Sequence, residues 1–245
     1  MCKQCFKEYI PRDLQREAGI KNAYKLKDTD FDKIFKIDEP IVTSMLASSK
    51  SGKTTLLYNL VQTVSKYYDI VLFFTVNSMA KIYKNFDQKR LLIIQDFDQR
   101  IIYALHHLNT ECDAKFKFFV IMDDIIDVKY NKVVAELFST FRNMNFSSLH
   151  SVQYKIYMNP NARAQCHCIF FGKQNNMDQI KKTVSEYLYG FNKLMSVIPE
   201  KYASEKEKID WLSLWYQKNT ENYQFIVFDV LNNELYKIKS KVIIK

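Results

Sequence analysis

Ala47-Ser48-Ser49-Lys50-Ser51-Gly52-Lys53-Thr54 has the residue types and spacing of a phosphate-binding loop, G-x-x-x-x-G-K-[ST], with alanine at the first glycine position. Such a loop presents consecutive backbone N–H groups and a helix N-terminus to phosphate oxygens. Lys53 is placed to reach the β- and γ-phosphates, and the Thr54 hydroxyl to bind Mg²⁺. The candidate nucleotide-binding set is therefore Ala47, Ser48, Ser49, Lys50, Ser51, Gly52, Lys53, Thr54 and Thr55. Alanine is disfavoured at positive φ, so Ala47 is expected to be tolerated, with Gly52 keeping the position nearest the phosphates.

The second candidate is an acidic pair. Phe116-Lys117-Phe118-Phe119-Val120-Ile121-Met122 runs into Asp123-Asp124, an apolar strand ending in acid. At a strand tip beside a phosphate loop, Asp123 can hold Mg²⁺ directly or through water, and Asp124 can polarise an attacking water as general base. The plain alternative is that both acids open the next helix, where acids suit the N-terminus. A further strand ends in Gln153, a residue that can position water and sense the γ-phosphate. Arg142, before that strand, and Arg163, after it in Asn159-Pro160-Asn161-Ala162-Arg163, are the candidate arginine fingers.

These residues need elements to hold them. Residues 40–46 read as a buried strand, and residues 55–61 as the start of a helix. Further apolar strands are expected at 69–76, 91–94, 116–122, 148–153 and 167–171, with helices at 99–112 and 132–141. Near-continuous apolar strands alternating with helices predict an α/β fold whose mostly parallel sheet is covered on both faces. Residues 174–217 are helical in pattern, most clearly 205–216; strands at 223–229 and 234–238 then flank Asn232-Asn233 as a terminal β-hairpin. Residues 1–38 read as an N-terminal extension, and 39–245 as the nucleotide-binding domain.

With 245 residues, 47% of them hydrophobic, the chain can fill the core of one such domain; no repeat, signal peptide or membrane-spanning run is evident. The net charge of +9 favours anionic partners, nucleic acid first, although a Lys-rich solvated surface has the same charge. Five cysteines without a signal peptide point to free thiols in a reducing compartment. Cys2-x-x-Cys5 and Cys166-x-Cys168, with His167 or His150, could make a zinc site, but the spacing is poor. Asn175-Asn176-Met177-Asp178 resembles the guanine-reading N-K-x-D of GTPases without its lysine, and Asp123-Asp124-Ile125-Ile126 lacks the D-x-x-G glycine.

In order along the chain, the phosphate loop, the acid pair, Arg142, Gln153, the Pro160–Arg163 segment and the strand Ile169–Phe171 resemble the FtsK–HerA superfamily of ring-forming ATPases. The similarity is to the genome-packaging ATPases of poxviruses, virophages and other large eukaryotic DNA viruses. It implies a RecA/ASCE-like P-loop NTPase that uses ATP and Mg²⁺, built as a homo-oligomeric ring, hexamer or pentamer, around sequence-independent double-stranded DNA. It also implies a translocase that fills preformed capsids, meeting a capsid protein, a portal vertex or an inner capsid membrane. The expected locations are the virion and the viral factory in the host cytoplasm. Two other readings remain open: a small-molecule or nucleotide P-loop kinase, and a non-hydrolysing ATP-dependent clamp on DNA or capsid.

Overall fold

Strand formation follows the apolar runs. In the computed structural model, which describes residues 19–35, 39–76, 89–125, 131–154 and 160–241, the described strands are β1 (Lys27–Asp28), β2 (Val42–Leu46), β3 (Ile70–Thr75), β4 (Leu91–Gln95), β5 (Phe118–Asp123), β6 (Phe146–Val152), β7 (Cys168–Phe171), β8 (Gln224–Asp229) and β9 (Glu234–Lys239). The described α-helices are α1 (Ile20–Ala23), α2 (Phe31–Ile34), α3 (Lys53–Val64), α4 (Gln99–Glu111), α5 (Lys132–Ser139), α6 (Pro160–Gln165), α7 (Met177–Thr183), α8 (Asn192–Met195) and α9 (Glu205–Asn219). One sheet has the order β1-β9-β8-β7-β2-β6-β5-β3-β4. From β7 to β4 neighbouring strands are parallel; β8 and β9 join antiparallel as the expected hairpin. This is the α/β architecture that the sequence pattern predicts.

Two apolar layers cover the sheet. Leu56, Leu57, Leu60, Val61 and Val64 of α3 pack on one face, with Phe31 and Phe35. Ile102, Leu137, Phe138, Ile180, Trp211 and Trp215 pack on the other. Helix α9 starts at a capping box: the Glu207 N–H donates to Ser204 Oγ at 3.2 Å, and the Ser204 N–H to Glu207 Oε2 at 3.0 Å. Such caps stabilise a helix by about 1 kcal/mol, little beside the burial of two tryptophans further along the same helix.

Several element boundaries differ by one or two residues from those expected. β6 begins at Phe146, two residues early, because Phe146 and Ser147 pair in register with Phe118 and Phe119 of β5. Ser147 Oγ accepts from the Ile41 N–H at 3.0 Å and Tyr68 OH at 3.1 Å. The helix expected to end at 141 ends at Ser139 and tightens into a 3₁₀ turn, Phe141–Met144. The described part of residues 1–38 packs on the sheet: Ile20, Leu26, Phe31 and Phe35 are buried, and β1 pairs in parallel with β9. No helix among the described residues is long and apolar enough to cross a membrane.

Candidate functional site

The phosphate loop leaves β2 at its carboxyl end, where ligands gather in open parallel sheets. Its backbone is pinned on two sides. The Ala47 N–H donates to the Val152 carbonyl at 3.2 Å, and the Ser48 N–H to the Lys173 carbonyl at 2.9 Å. The Asn175 N–H donates to Ser48 Oγ at 3.0 Å. The loop then turns through left-handed residues, Lys50 at φ 61° and Gly52 at φ 95°, and Gly52 serves as N-cap of α3. Lys53 is the first helical residue and is 5% exposed.

Ala47 is not at positive φ, so its backbone has no need of glycine. The need is steric and has moved across the sheet. Ala47 is fully buried, and a Cβ on Gly172 would lie 2.6 Å from the Ala47 methyl and 2.4 Å from Phe225 Cε1. Gly172, at the end of β7, makes the room for Ala47 and donates its own N–H to the Leu46 carbonyl at 2.9 Å.

The acidic strand is not the immediate neighbour of the phosphate-loop strand: β6 lies between β2 and β5. Asp123 is 4% exposed and stands in register between Thr75 of β3 and Ser151 of β6. Asp124 leaves the strand at φ 54°, its N–H donating to the Ser151 carbonyl at 2.9 Å. That turn brings its carboxylate to Lys53, with which it forms an ion pair. Gln153, at the tip of the intervening strand, donates from Nε2 to Asp124 Oδ2 at 3.1 Å. Lys53 at the start of α3, Asp124 just past β5 and Gln153 just past β6 thus form one connected group at the carboxyl end of the sheet.

Behind them sits His150, fully buried on β6. Burial pushes its pKa down to about 4, against the upward pull of its hydrogen bond to the Ile125 carbonyl and of Asp124. The neutral ring donates from Nε2 to that carbonyl at 3.3 Å and so anchors the residue after Asp124.

The residues present fit a nucleotide and a hydrated Mg²⁺. A cavity of about 450 Å³ is lined by Ser49, Lys50, Gly52, Lys53, Thr54, Thr55, Asp124 and Tyr223. The hydroxyls of Ser51 and Ser151 are buried beside this loop and strand tip, with no hydrogen-bond partner among the described residues. Buried hydroxyls without partners are costly, and oxygen-rich ligands or their waters would satisfy them. Sequence reasoning did not include Ser151, Gly172 or Tyr223. Ser151 could have been found from strand alternation, which puts it on the Gln153 face. The other two depend on contacts across the chain.

The two arginines lie elsewhere. Arg142 precedes β6 and sits at the amino ends of the strands, about 20 Å from the Gln153 end, given the rise along a strand. Its Nη1 donates to His167 Nε2 at 3.2 Å, which requires a neutral ring with its proton on Nδ1. Burial lowers the His167 pKa, and the Arg142 charge lowers it further against the pull of Glu39. Arg163 of α6 faces Glu186 at 3.8 Å. Neither arginine lines the nucleotide cavity of its own chain.

Two other motifs have structural uses. Asn176 caps α7, its Oδ1 accepting from the Asp178 N–H at 2.8 Å, so the N-x-x-D string is a helix start. Cys166 and Cys168 are buried; burial raises the Cys166 thiol to about 12 and Cys168 well up, which keeps both protonated and poor metal ligands. Cys2 and Cys5 lie outside the described residues. Among the described residues, no cluster of His, Cys, Asp and Glu is able to hold a metal by itself.

No family model and no curated protein matches the sequence. Solved structures do match in fold. The genome packaging NTPase B204 from Sulfolobus turreted icosahedral virus 2, in complex with ATPγS, aligns at TM-score 0.58 and 14% identity, over 85% of this chain and 100% of that one. B204 from Sulfolobus turreted icosahedral virus, described as a DNA-packaging ATPase, aligns at TM-score 0.58 and 15% identity, over 83% and 100%. The pCW3 conjugation coupling protein TcpA, in its monomer form with ATPγS, aligns at TM-score 0.56 and 10% identity, over 98% and 82%. The fold is that of a P-loop NTPase and matches B204.

Proposed function

We propose that this chain is an ATP-driven translocase that packages viral double-stranded DNA into preformed capsids. The observation that carries the reading is the Lys53–Asp124–Gln153 group, gathered at the carboxyl end of the sheet in a fold that aligns with the whole of the B204 chain. In this reading residues 39–245 form the ATPase domain, and residues 1–38 an extension whose described part packs on the sheet.

The roles follow from the geometry. Backbone N–H groups of Ser49, Lys50 and residues 52–54, which the loop's own hydrogen bonds leave available, bind phosphate oxygens, and Lys53 gives up Asp124 to meet the β- and γ-phosphates. That exchange frees the Asp124 carboxylate to take a proton from water, while Gln153 orients the same water. Thr54 and Asp123 would hold Mg²⁺, which supplies neutralising charge to the phosphates. Arg142 lies too far from its own cavity to act there, so it serves a neighbouring subunit of a homo-oligomeric ring; Arg163, held by Glu186, is the second choice.

Duplex DNA would run through the ring, with affinity set by phosphate contacts of a +9 chain and therefore salt-sensitive and sequence-independent. Partners at the capsid would be a portal vertex, a capsid protein or an inner membrane, and the protein would work in the viral factory and the virion. The deciding experiment is ATPase turnover with and without duplex DNA. Packaging predicts stimulation by DNA, a kinase predicts stimulation only by its acceptor, and a clamp predicts no turnover.

A further inference from the structure

Tyr223 lines the phosphate-loop cavity, yet it belongs to neither core layer and is 50% exposed. Among the described residues that line that cavity it is the one aromatic. Its ring lies against the loop: a methyl placed on Gly52 would meet Tyr223 Cδ1 at 2.9 Å. The backbone that places it there is unusual. Asn222 at φ 55° and Tyr223 at φ 60° are consecutive left-handed residues, a conformation that an asparagine accepts and a bulky aromatic resists. Strain of this kind persists where the surrounding structure fixes it, and it clusters at functional sites.

The fixing contacts are present. The Tyr223 carbonyl accepts from the Ser240 N–H at 3.0 Å. One residue on, Asn59 of α3 clamps Lys241 in both directions: the Lys241 N–H donates to Asn59 Oδ1 at 2.9 Å, and Asn59 Nδ2 to the Lys241 carbonyl at 3.2 Å. Chain leaving the hairpin is thereby tied to the helix that follows the phosphate loop. Tyr223 sits in that tie, with its Cβ and Cδ1 against Gly52 and half of its surface open. The Ser240 hydroxyl beside it is buried with no hydrogen-bond partner among the described residues.

From this we infer that Tyr223 is the base-binding side chain of the site: its open face stacks on the nucleoside base of a triphosphate whose phosphates lie in residues 48–54. The inference rests on the nucleotide-binding reading above and adds what that reading lacks, a wall for the non-phosphate end of the ligand. Phosphates are held by N–H groups and charge, which any polyphosphate satisfies. A flat heterocycle gains from an aromatic face, and base–aromatic stacking is worth roughly tenfold or more in affinity.

The test is calorimetric titration of wild type, Tyr223→Ala and Tyr223→Phe with two probes, ATP and inorganic tripolyphosphate, each with Mg²⁺. Wild type should bind ATP more tightly than tripolyphosphate. Tyr223→Ala should lose on the order of tenfold toward ATP while binding tripolyphosphate as wild type does, which also shows that the variant is folded. Tyr223→Phe should behave as wild type, since the ring is kept. Equal losses toward both probes would make Tyr223 a structural cover over Gly52, and no loss toward either would place the base elsewhere; each overturns the inference and leaves nucleotide binding standing. Wild type that binds neither probe would overturn the nucleotide reading itself.

Discussion

The two ends of the central sheet are built on different terms. At the carboxyl ends of β2, β6 and β5, opposite charges meet inside one chain: Lys53 pairs with Asp124, and Gln153 supports the same carboxylate. At the amino end of β6, Arg142 meets no carboxylate among the described residues; its described partner is the imidazole of His167. One end is complete within the chain. The other holds a permanent cation in place against a neutral acceptor, half-buried and ready for an anion from outside. A site that completes itself can bind a ligand as a monomer, whereas a cation presented at the opposite end would, in the ring proposed above, serve a neighbour.

Removing Lys53 should do the most damage. Lys53→Ala removes the cation from the complete end and leaves Asp124 and Gln153 facing each other without it. ATP hydrolysis should fall to background in the purified variant, because the lysine charge is needed where γ-phosphate charge moves in the transition state. Turnover near the wild-type rate would remove this loop from the mechanism.

Arg142→Ala tests the other end. An arginine finger is worth roughly 10³–10⁵ in rate, so the variant should bind ATP normally and turn over at least about 10³-fold more slowly. Mixing it with Lys53→Ala should restore part of the activity, since each variant supplies what the other lacks at some interfaces of a mixed ring. A full-rate Arg142→Ala enzyme, or mixed rings with no recovery, would make the two ends independent and favour a self-contained kinase.

The acid pair is also sharpened by its surroundings. His150 lies one strand over from Asp124, and burial drives its pKa to about 4 from an ordinary 6.5. The folded state therefore refuses a proton that the unfolded chain accepts between those values. Stability is fully present above about pH 6.5 and falls as pH drops toward 4, by on the order of 3 kcal/mol at the lower limit. Urea unfolding at pH 7.5 and pH 4.5 should show this loss, and His150→Gln should reduce it. An unchanged loss in the variant would assign the pH dependence to other groups.

These contrasts explain what the sequence could tell. Apolar runs such as Val71–Phe74 and Phe118–Met122 declare buried strands locally, and Asn232-Asn233 declares the hairpin, with Asn233 at φ 50°. Lys53 and the acid pair stand out as candidates because phosphate chemistry demands fixed residue types at fixed spacing, and the structure brings Lys53 and Asp124 together. Strand order was not legible in the same way. That β6 lies between the loop and the acids, and so delivers Gln153 to Asp124, follows from pairing across about a hundred residues. The Arg142–His167 contact joins residues 25 apart, and β1 is a two-residue strand of exposed Lys27 and Asp28 with no apolar signal. Tyr223 lay inside the expected hairpin strand, and only its backbone and its neighbours set it apart.

The smallest expected effect concerns how the complete end tolerates its departure from the loop pattern. Ala47 fills space that a glycine would leave, and Gly172 yields that space from the end of β7. Gly172→Ala should destabilise the fold by about 1–3 kcal/mol, the usual cost of overpacking, because the new methyl would sit 2.6 Å from Ala47 Cβ and 2.4 Å from Phe225 Cε1. Ala47→Gly alone should cost about 1 kcal/mol through lost methyl burial and added chain entropy. In the double variant one of the two clashes is gone, so its destabilisation should be smaller than the sum of the single changes. Ring contact with Phe225 remains, so recovery should be partial. Urea unfolding of all four proteins measures the coupling directly. Strict additivity would mean that the two positions do not share space, and that Ala47 is accommodated by the loop alone.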